Sequence, residues 1–238
     1  VIKILRKIDF SYSQRADKYI AMTDETAQRI KEAYKPNNKI TILNPSIDTS
    51  KYYLSNKIEN YYLVVSRLEK YKKVDLVINA FNKLGFKLKI VGRGIEKESL
   101  KKIANSNIEF IEGINDEKLA GLYSKCRAFI FPQHEDYGLT PLEANASGRP
   151  VIAYHRGGVE TTMVPFNKEK PESPFTALFF NEQNIKSLIS AVQSLNKLKI
   201  DSFFIRNHAE KFDDNNFINK IKEFVSTEFT IHKEKNKG

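Results

Sequence analysis

The chain of 238 residues has no tryptophan, two methionines, one cysteine and no apolar run long enough to span a bilayer. A single cysteine, Cys126, excludes an intrachain disulfide and any multi-cysteine metal site; lying where a helix end meets a strand, it reads as a small buried hydrophobe. The opening residues Val1-Ile2-Lys3-Ile4-Leu5-Arg6-Lys7 lack the extended apolar region and cleavage site of a signal peptide. Metal-site spacing is also missing. His134, His155 and His208 bear no ligand-like relation to one another, His208 is expected on a helix surface, and no paired-aspartate motif is present to hold a divalent ion, so neither a metal nor a cofactor is expected.

What is present is a basic surplus. Thirty-nine lysines and arginines face 29 aspartates and glutamates, a net charge of +10, which invites an anionic partner. The lysines are dispersed, and no recognition helix, zinc finger or aromatic RNA-binding signature accompanies them, so nucleic acid is not an expected partner. A basic face that meets phosphates on a substrate or on membrane lipids fits better. An apolar fraction of 41% suffices for a core, and the expectation is a soluble cytoplasmic protein or one peripheral to the inner face of the membrane.

From Tyr61 onward strand-like runs alternate with helix-period stretches. The predicted strands are Tyr62 to Ser66, Leu88 to Val91, Ile108 to Glu112, Ala128 to Phe131, Val151 to Tyr154 and Ala177 to Phe180. Helices are predicted at Val74 to Leu84, Glu96 to Ala104, Asp116 to Lys125, Pro141 to Ser147 and Ile185 to Leu198. Such alternation implies an α/β fold, a doubly wound parallel sheet with helices on both faces. Residues 1 to 44 offer only a helix, a strand at Lys18 to Met22, a helix at Asp24 to Tyr34 capped by Thr23, and a strand at Thr41 to Leu43. That is too little for an independent doubly wound domain, and they are expected to be the remnant of a preceding domain, with Ile20, Ile30, Ile40 and Ile42 mobile or covered by a second copy. Asn44 to Asp48 reads as a linker, 45 to 228 as the main domain with Phe203 to Glu228 helical in two pieces, and 229 to 238 as a flexible basic tail.

The most informative stretch runs from Pro132 to Pro150. It holds Glu135, Tyr137, Gly138, Leu139 and Glu143 between a strand and a helix start. Thr140 and Glu143 have capping-box spacing, while the same helix start could receive phosphate and its carboxylate could accept from ribose or sugar hydroxyls; both readings stand on the residues alone. Ligands of open parallel sheets bind beyond the carboxyl ends of the strands. There this sequence places Arg67, Gly92-Arg93-Gly94, Gly113, Glu135 to Gly138 and His155 to Gly158, one group after each of five strands, with Lys72 close behind the first. Arginine and lysine suit phosphate oxygens, and glycines admit close backbone approach. The dinucleotide fingerprint is incomplete, because position 97 is lysine.

Five blocks, in order, resemble the family 4 group of retaining GT-B glycosyltransferases: Ser66-Arg67-Leu68, Tyr71 to Leu76, Val91 to Gly94, the Glu135 to Glu143 stretch, and Gly148 to Ala153 with Gly157 to Thr161. The resemblance covers roughly residues 40 to 200. It implies a Rossmann-like donor domain that binds a nucleotide sugar, GDP-mannose or a UDP-sugar, and passes the sugar to a polysaccharide or lipid-linked acceptor with retention. By that resemblance Arg67 and Lys72 meet the diphosphate, Glu135 the sugar hydroxyls and Glu143 the ribose. The backbone at Tyr137, Gly138 and Leu139 meets sugar and phosphate, and the base lies near Gly92, Gly94 and Gly113. The amino-terminal acceptor domain of the family is mostly absent from this sequence, which leaves open a nucleotide-sugar-binding module that transfers nothing alone.

Overall fold

The computed structural model describes residues 2–235. In chain order the elements are α1 Ile2–Ser13, β1 Tyr19–Ala21, α2 Asp24–Tyr34, β2 Ile40–Ile42, β3 Tyr61–Val65, α3 Val74–Leu84, β4 Lys87–Val91, α4 Lys97–Ile103 and β5 Ile108–Ile111. There follow α5 Asp116–Lys125, β6 Phe129–Phe131, α6 Leu139–Ala146, β7 Val151–Tyr154, α7 Val159–Thr162, β8 Ala177–Phe180, α8 Ile185–Leu195, α9 Ser202–Ala209 and α10 Asp214–Lys235. The chain forms two compact units, one of Ile47–Asp213 and one in which α10 groups with the residues before Ile47.

The larger unit is built on six parallel strands in the order β5-β4-β3-β6-β7-β8. Alternate side chains of each strand enter different cores, as the two-residue period of a strand requires. Tyr62, Val64, Leu88, Ile90, Ile130 and Ile152 pack under α3 and α8, while Leu63, Phe129, Phe131, Val151 and Ala153 pack against Tyr123 of α5 and Leu142 of α6. Helix α3 buries Val74, Val77, Ile78 and Phe81 on one stripe, and α8 does so with Leu188, Val192 and Leu195, the spacing of amphipathic helices. Local caps fix the helix starts: Asn115 accepts from the Lys118 amide, Asn184 from Ser187 and Asp201 from Phe204.

The doubly wound sheet is therefore as the strand–helix alternation implies, with several elements matching to the residue and the others to within one to three. The four-residue α7 has no counterpart in the sequence reading. Cys126 is buried as expected. Three expectations change. His208 is half-buried rather than on the surface, its Nε2 within 2.7 Å of the Thr162 carbonyl oxygen, and burial lowers its pKa. Residues read as a flexible tail continue α10 as far as Lys235, and 236–238 lie outside the described residues. The main unit ends at Asp213 rather than at 228.

In the smaller unit β1 and β2 pair in parallel and a small core of Ala21, Ala27 and Ile40 forms beneath α2. Thr23 caps α2 through a reciprocal pair with Thr26. Ile40 is buried, whereas Ile20 and Ile42 lie exposed and α1 buries no residue. Lys18 pairs with Glu228 of α10 at 2.8 Å. No helix among the described residues is long and apolar enough to cross a membrane.

The contrast in burial has a measurable consequence. Ile130→Ala, in a fully buried strand, is expected to cost about 2–5 kcal/mol in denaturant unfolding, and Ile20→Ala, 42% exposed, less than about 0.5 kcal/mol. Equal costs would refute this account of the core.

Candidate functional site

In the six-stranded sheet the chain moves outward from β3 to β4 and β5, then crosses back to β6 and proceeds outward to β7 and β8. The loops leaving β3 and β6 therefore part in opposite directions above the Leu63–Phe129 pairing, opening a crevice at the switch point. Lys72, in a helical turn at Lys70–Lys72, and Glu135, in the loop after β6, meet there as an ion pair. Both are largely covered, with side-chain exposures of 12% and 23%.

Tyr71 binds this corner together, and sequence reasoning assigned it no role. Its hydroxyl accepts from Arg67 Nη2 at 2.9 Å, and Lys72 Nζ lies 4.9 Å from its ring centroid, within cation–π range. Arg67 itself is exposed. Burial, and then the Arg67 guanidinium, lowers the Lys72 pKa; the Glu135 carboxylate opposes both by favouring the ammonium. On the other side Gln133 Nε2 lies 3.4 Å from Glu135 Oε1, and the Glu135 carbonyl accepts from the Gly158 amide at 2.8 Å.

The glycines named from sequence hold loops against loops. A Cβ on Gly92 would overlap the Ser66 carbonyl and one on Gly94 the Leu68 carbonyl, so the Arg67 loop lies directly on the loop after β4, with Leu68 donating to the Arg93 carbonyl at 2.9 Å. Gly138, at φ +88°, turns the chain into α6 over the ring of Phe131. Gly113 turns at φ +65° in open space and makes no contact with the Lys72–Glu135 corner in the interactions described. Tyr137 is buried beside Gly158, and Leu139 is exposed at the first position of α6.

Glu143 departs from the capping reading. Helix α6 begins at Leu139 with Gly138 as its cap and no side-chain cap bond, so the Thr140–Glu143 capping box does not form and Glu143 lies in the second turn. Its Oε2 accepts from Tyr123 at 2.7 Å, and the nearby Tyr52 phenol favours its ionised form. Neither tyrosine was singled out from sequence, because nothing local links them to position 143.

Two hollows lie at opposite edges of the sheet. Glu69, Lys70, Tyr71, Lys73, His134 and Gln183 line an open one of about 610 Å³ beside the Lys72–Glu135 corner. Another, of about 550 Å³, lies at the opposite edge of the sheet around Tyr61, Lys87 and Lys89, away from every residue of the crevice. The stacking of His155 on Phe179, with ring centroids 4.5 Å apart, closes the far side of the loop edge. Among the described residues no three His, Cys, Asp or Glu side chains gather as metal ligands would.

Burial raises the Glu143 pKa above its ordinary value, against the opposing influence of the Tyr123 hydrogen bond and the nearby Tyr52 phenol. A carboxyl whose folded pKa is raised contributes stability that is complete below the unfolded value and is lost as pH rises through the folded one. The melting temperature of Glu143→Gln relative to the unsubstituted chain is therefore expected to increase from about pH 4 to about pH 7. A pH-independent difference in thermal melts would refute it.

Comparison with known proteins places this geometry. The family model for glycosyl transferases group 1 matches residues 47–216. A Haemophilus influenzae uncharacterized glycosyltransferase is 28% identical over 75% of this chain and 51% of its own length, and the Salmonella typhimurium O-antigen chain mannosyltransferase RfbU is 27% identical over 76% and 51%. The chain thus spans about half the length of these relatives. The crystal structure of Anabaena HepE in complex with UDP and glucose superposes with a TM-score of 0.77 at 16% identity, covering 93% of this chain and 66% of that one, which establishes likeness of fold. With its Rossmann-like sheet and a family match across the whole of the larger unit, the chain belongs to the group 1 glycosyltransferases.

Proposed function

We propose that residues 47–213 bind a nucleotide-diphosphate sugar and that, in the whole protein, the sugar passes to a polysaccharide or lipid-linked acceptor with retention at the anomeric carbon. The observation that carries this reading is the convergence of Lys72, Glu135, Arg67 and the start of α6 at the switch point. Two cations and the free amides of a helix start supply what a diphosphate needs, and a carboxylate beside them supplies an acceptor for sugar hydroxyls. The mannosyltransferase relative and the UDP- and glucose-bound neighbour support GDP-mannose or a UDP-sugar as donor.

In the transfer step the bond from the anomeric carbon to the β-phosphate oxygen breaks while the acceptor hydroxyl attacks from the same face, its proton passing to the departing phosphate oxygen. Arg67, Lys72 and the α6 amides stabilise the charge gathering on the departing nucleoside diphosphate, with no metal or cofactor in the scheme. Glu135 orients the sugar by accepting from its hydroxyls. The basic surplus suits a lipid-linked, phosphate-bearing acceptor at a membrane surface. The second reading, a binding module inactive alone, is favoured by the chain's covering 51% of its relatives' length; turnover of donor by this chain with acceptor supplied would refute it.

Calorimetric titration with GDP, UDP and ADP tests the donor reading. One nucleotide is expected to bind saturably, and Arg67→Ala and Lys72→Ala are each expected to weaken it about 10- to 100-fold, the worth of a hydrogen bond to a charged group. No binding by the folded chain would overturn the proposal.

Glu135→Gln is expected to act unequally on two ligands. It frees Lys72 and removes a negative charge beside the diphosphate, so free nucleoside diphosphate should bind more tightly, whereas the sugar-bearing donor loses its strongest hydroxyl acceptor and should gain less or bind more weakly. Competition titrations with both ligands measure the ratio, and a parallel change in both affinities would show that Glu135 makes no contact with the sugar.

A further inference from the structure

The Glu143 carboxylate is held more firmly than a hydroxyl acceptor on a helix surface would need to be. It projects from the second turn of α6 to the junction with α5 and with the helical turn Thr49–Lys51. Tyr123, fully buried on α5, donates to Oε2 at 2.7 Å, and Tyr52, which ends the Thr49–Lys51 turn, sets its phenol near enough to the same carboxylate to favour the ionised form. The two rings meet edge to face with centroids 5.9 Å apart, and Tyr123 packs in turn on Phe129 of the sheet at 5.6 Å. The backbone under Tyr52 is fixed as well. Arg206 of α9 donates to the carbonyls of Tyr52 and Thr49 at 2.6 and 3.2 Å and to that of Ala146, the last residue of α6. The charged groups nearest the carboxylate are Asp116 at the start of α5 and Lys51 in the turn.

We propose that Tyr52 and Tyr123 are positioning residues that fix the Glu143 carboxylate as the acceptor for the ribose hydroxyls of the donor nucleotide. This rests on the reading of Glu143 as the ribose contact in the proposed donor site. A carboxylate has about four lone-pair sites. The Tyr123 phenol occupies one of them, Tyr52 packs edge to face on that donor, and together they fix the rotamer and leave the remaining sites for a ligand. A pre-oriented, water-poor acceptor discriminates sharply against an analogue lacking the hydroxyl, because the acceptor is then left unpaired. The two tyrosines also favour the ionised, acceptor-only form of a group that burial pushes toward protonation.

If the tyrosines served only to fill the core, their hydroxyls would affect melting and not ligand choice. The test is the affinity of UDP and GDP against their 2′,3′-dideoxy counterparts, measured by calorimetry on the unsubstituted chain, Tyr52→Phe, Tyr123→Phe, the double variant and Glu143→Ala. The unsubstituted chain is expected to prefer the ribonucleotide at least about 10-fold and Glu143→Ala to lose that preference. Each single phenylalanine variant is expected to lower the ratio about 3- to 10-fold, and the double variant to approach Glu143→Ala, while dideoxynucleotide affinity stays constant. Phenylalanine variants that melt cooperatively and keep the full ratio overturn the positioning role. A ratio of one in the unsubstituted chain overturns instead the ribose reading of Glu143, and this inference with it. Should Tyr123→Phe not fold, Tyr52→Phe, altering a half-buried ring, decides the matter alone.

Discussion

Pairing β3 directly with β6 is the constraint from which the rest of the larger unit follows. Once Leu63 lies opposite Phe129 in a parallel sheet, the strands that follow each must wind away in opposite directions if both crossovers are to be right-handed. The helices then fall on opposite faces, α3 and α8 over one core and α5 and α6 over the other. A crevice between the two diverging loops is a by-product of that winding. It exists because of backbone topology, before any side chain in it is chosen, and it explains how residues as far apart in sequence as Lys72 and Glu135 come to share a corner.

The loops that line the crevice are stiffened by backbone lying on backbone. Ser66 donates to the Val91 carbonyl, Leu68 to Arg93 and Glu96 to Leu68, so the loops after β3 and β4 continue the sheet's pairing past the strand ends. Across the crevice Glu135 forms an isolated parallel bridge with Gly157, and Tyr137 rides against Gly158 with no room for a Cβ between them. The residues proposed to touch the ligand therefore sit on an edge held nearly as firmly as the strands. That suits a site whose task is to hold charge in fixed places and not to reorganise around it.

Sheet, helices and most strand limits were legible because both cores depend on periodic patterns: the run Tyr61 to Val65 declares a buried parallel strand, and Val74, Val77, Ile78 and Phe81 declare one face of a helix. The five post-strand groups were legible for the same reason, since a loop's place after a strand fixes which edge it occupies. What failed to show is whatever depends on partners distant in sequence. The Thr140–Glu143 spacing suggested a local cap, yet Glu143 finds its partners in Tyr123 and Tyr52. Tyr71 opened one of the blocks that resemble the family, yet nothing in the sequence showed that its hydroxyl and ring would tie Arg67 to Lys72. The extension of α10 to Lys235 was hidden by its charge, since a lysine-rich end reads equally as helix or tail.

The electrostatics of the crevice bear on what it can bind. Arg67 and Lys72 are close enough that the guanidinium disfavours the ammonium, and the Lys72 side chain is mostly withdrawn from water. A cation so far withdrawn from water, with a guanidinium beside it, calls for an anion nearby. In the protein alone that anion is Glu135. A diphosphate arriving at the same corner offers more negative charge and several acceptor oxygens, and can draw Lys72 away, but it then faces the released carboxylate across the crevice. The repulsion is relieved if the ligand places hydroxyls between phosphate and carboxylate, which is what the sugar of a nucleotide sugar does. Loss of that sugar to an acceptor restores the repulsion and favours return of Lys72 to Glu135. The same two side chains proposed to hold the donor would thereby weaken the hold on the spent nucleotide, a preference set by charge and geometry at one corner of the sheet.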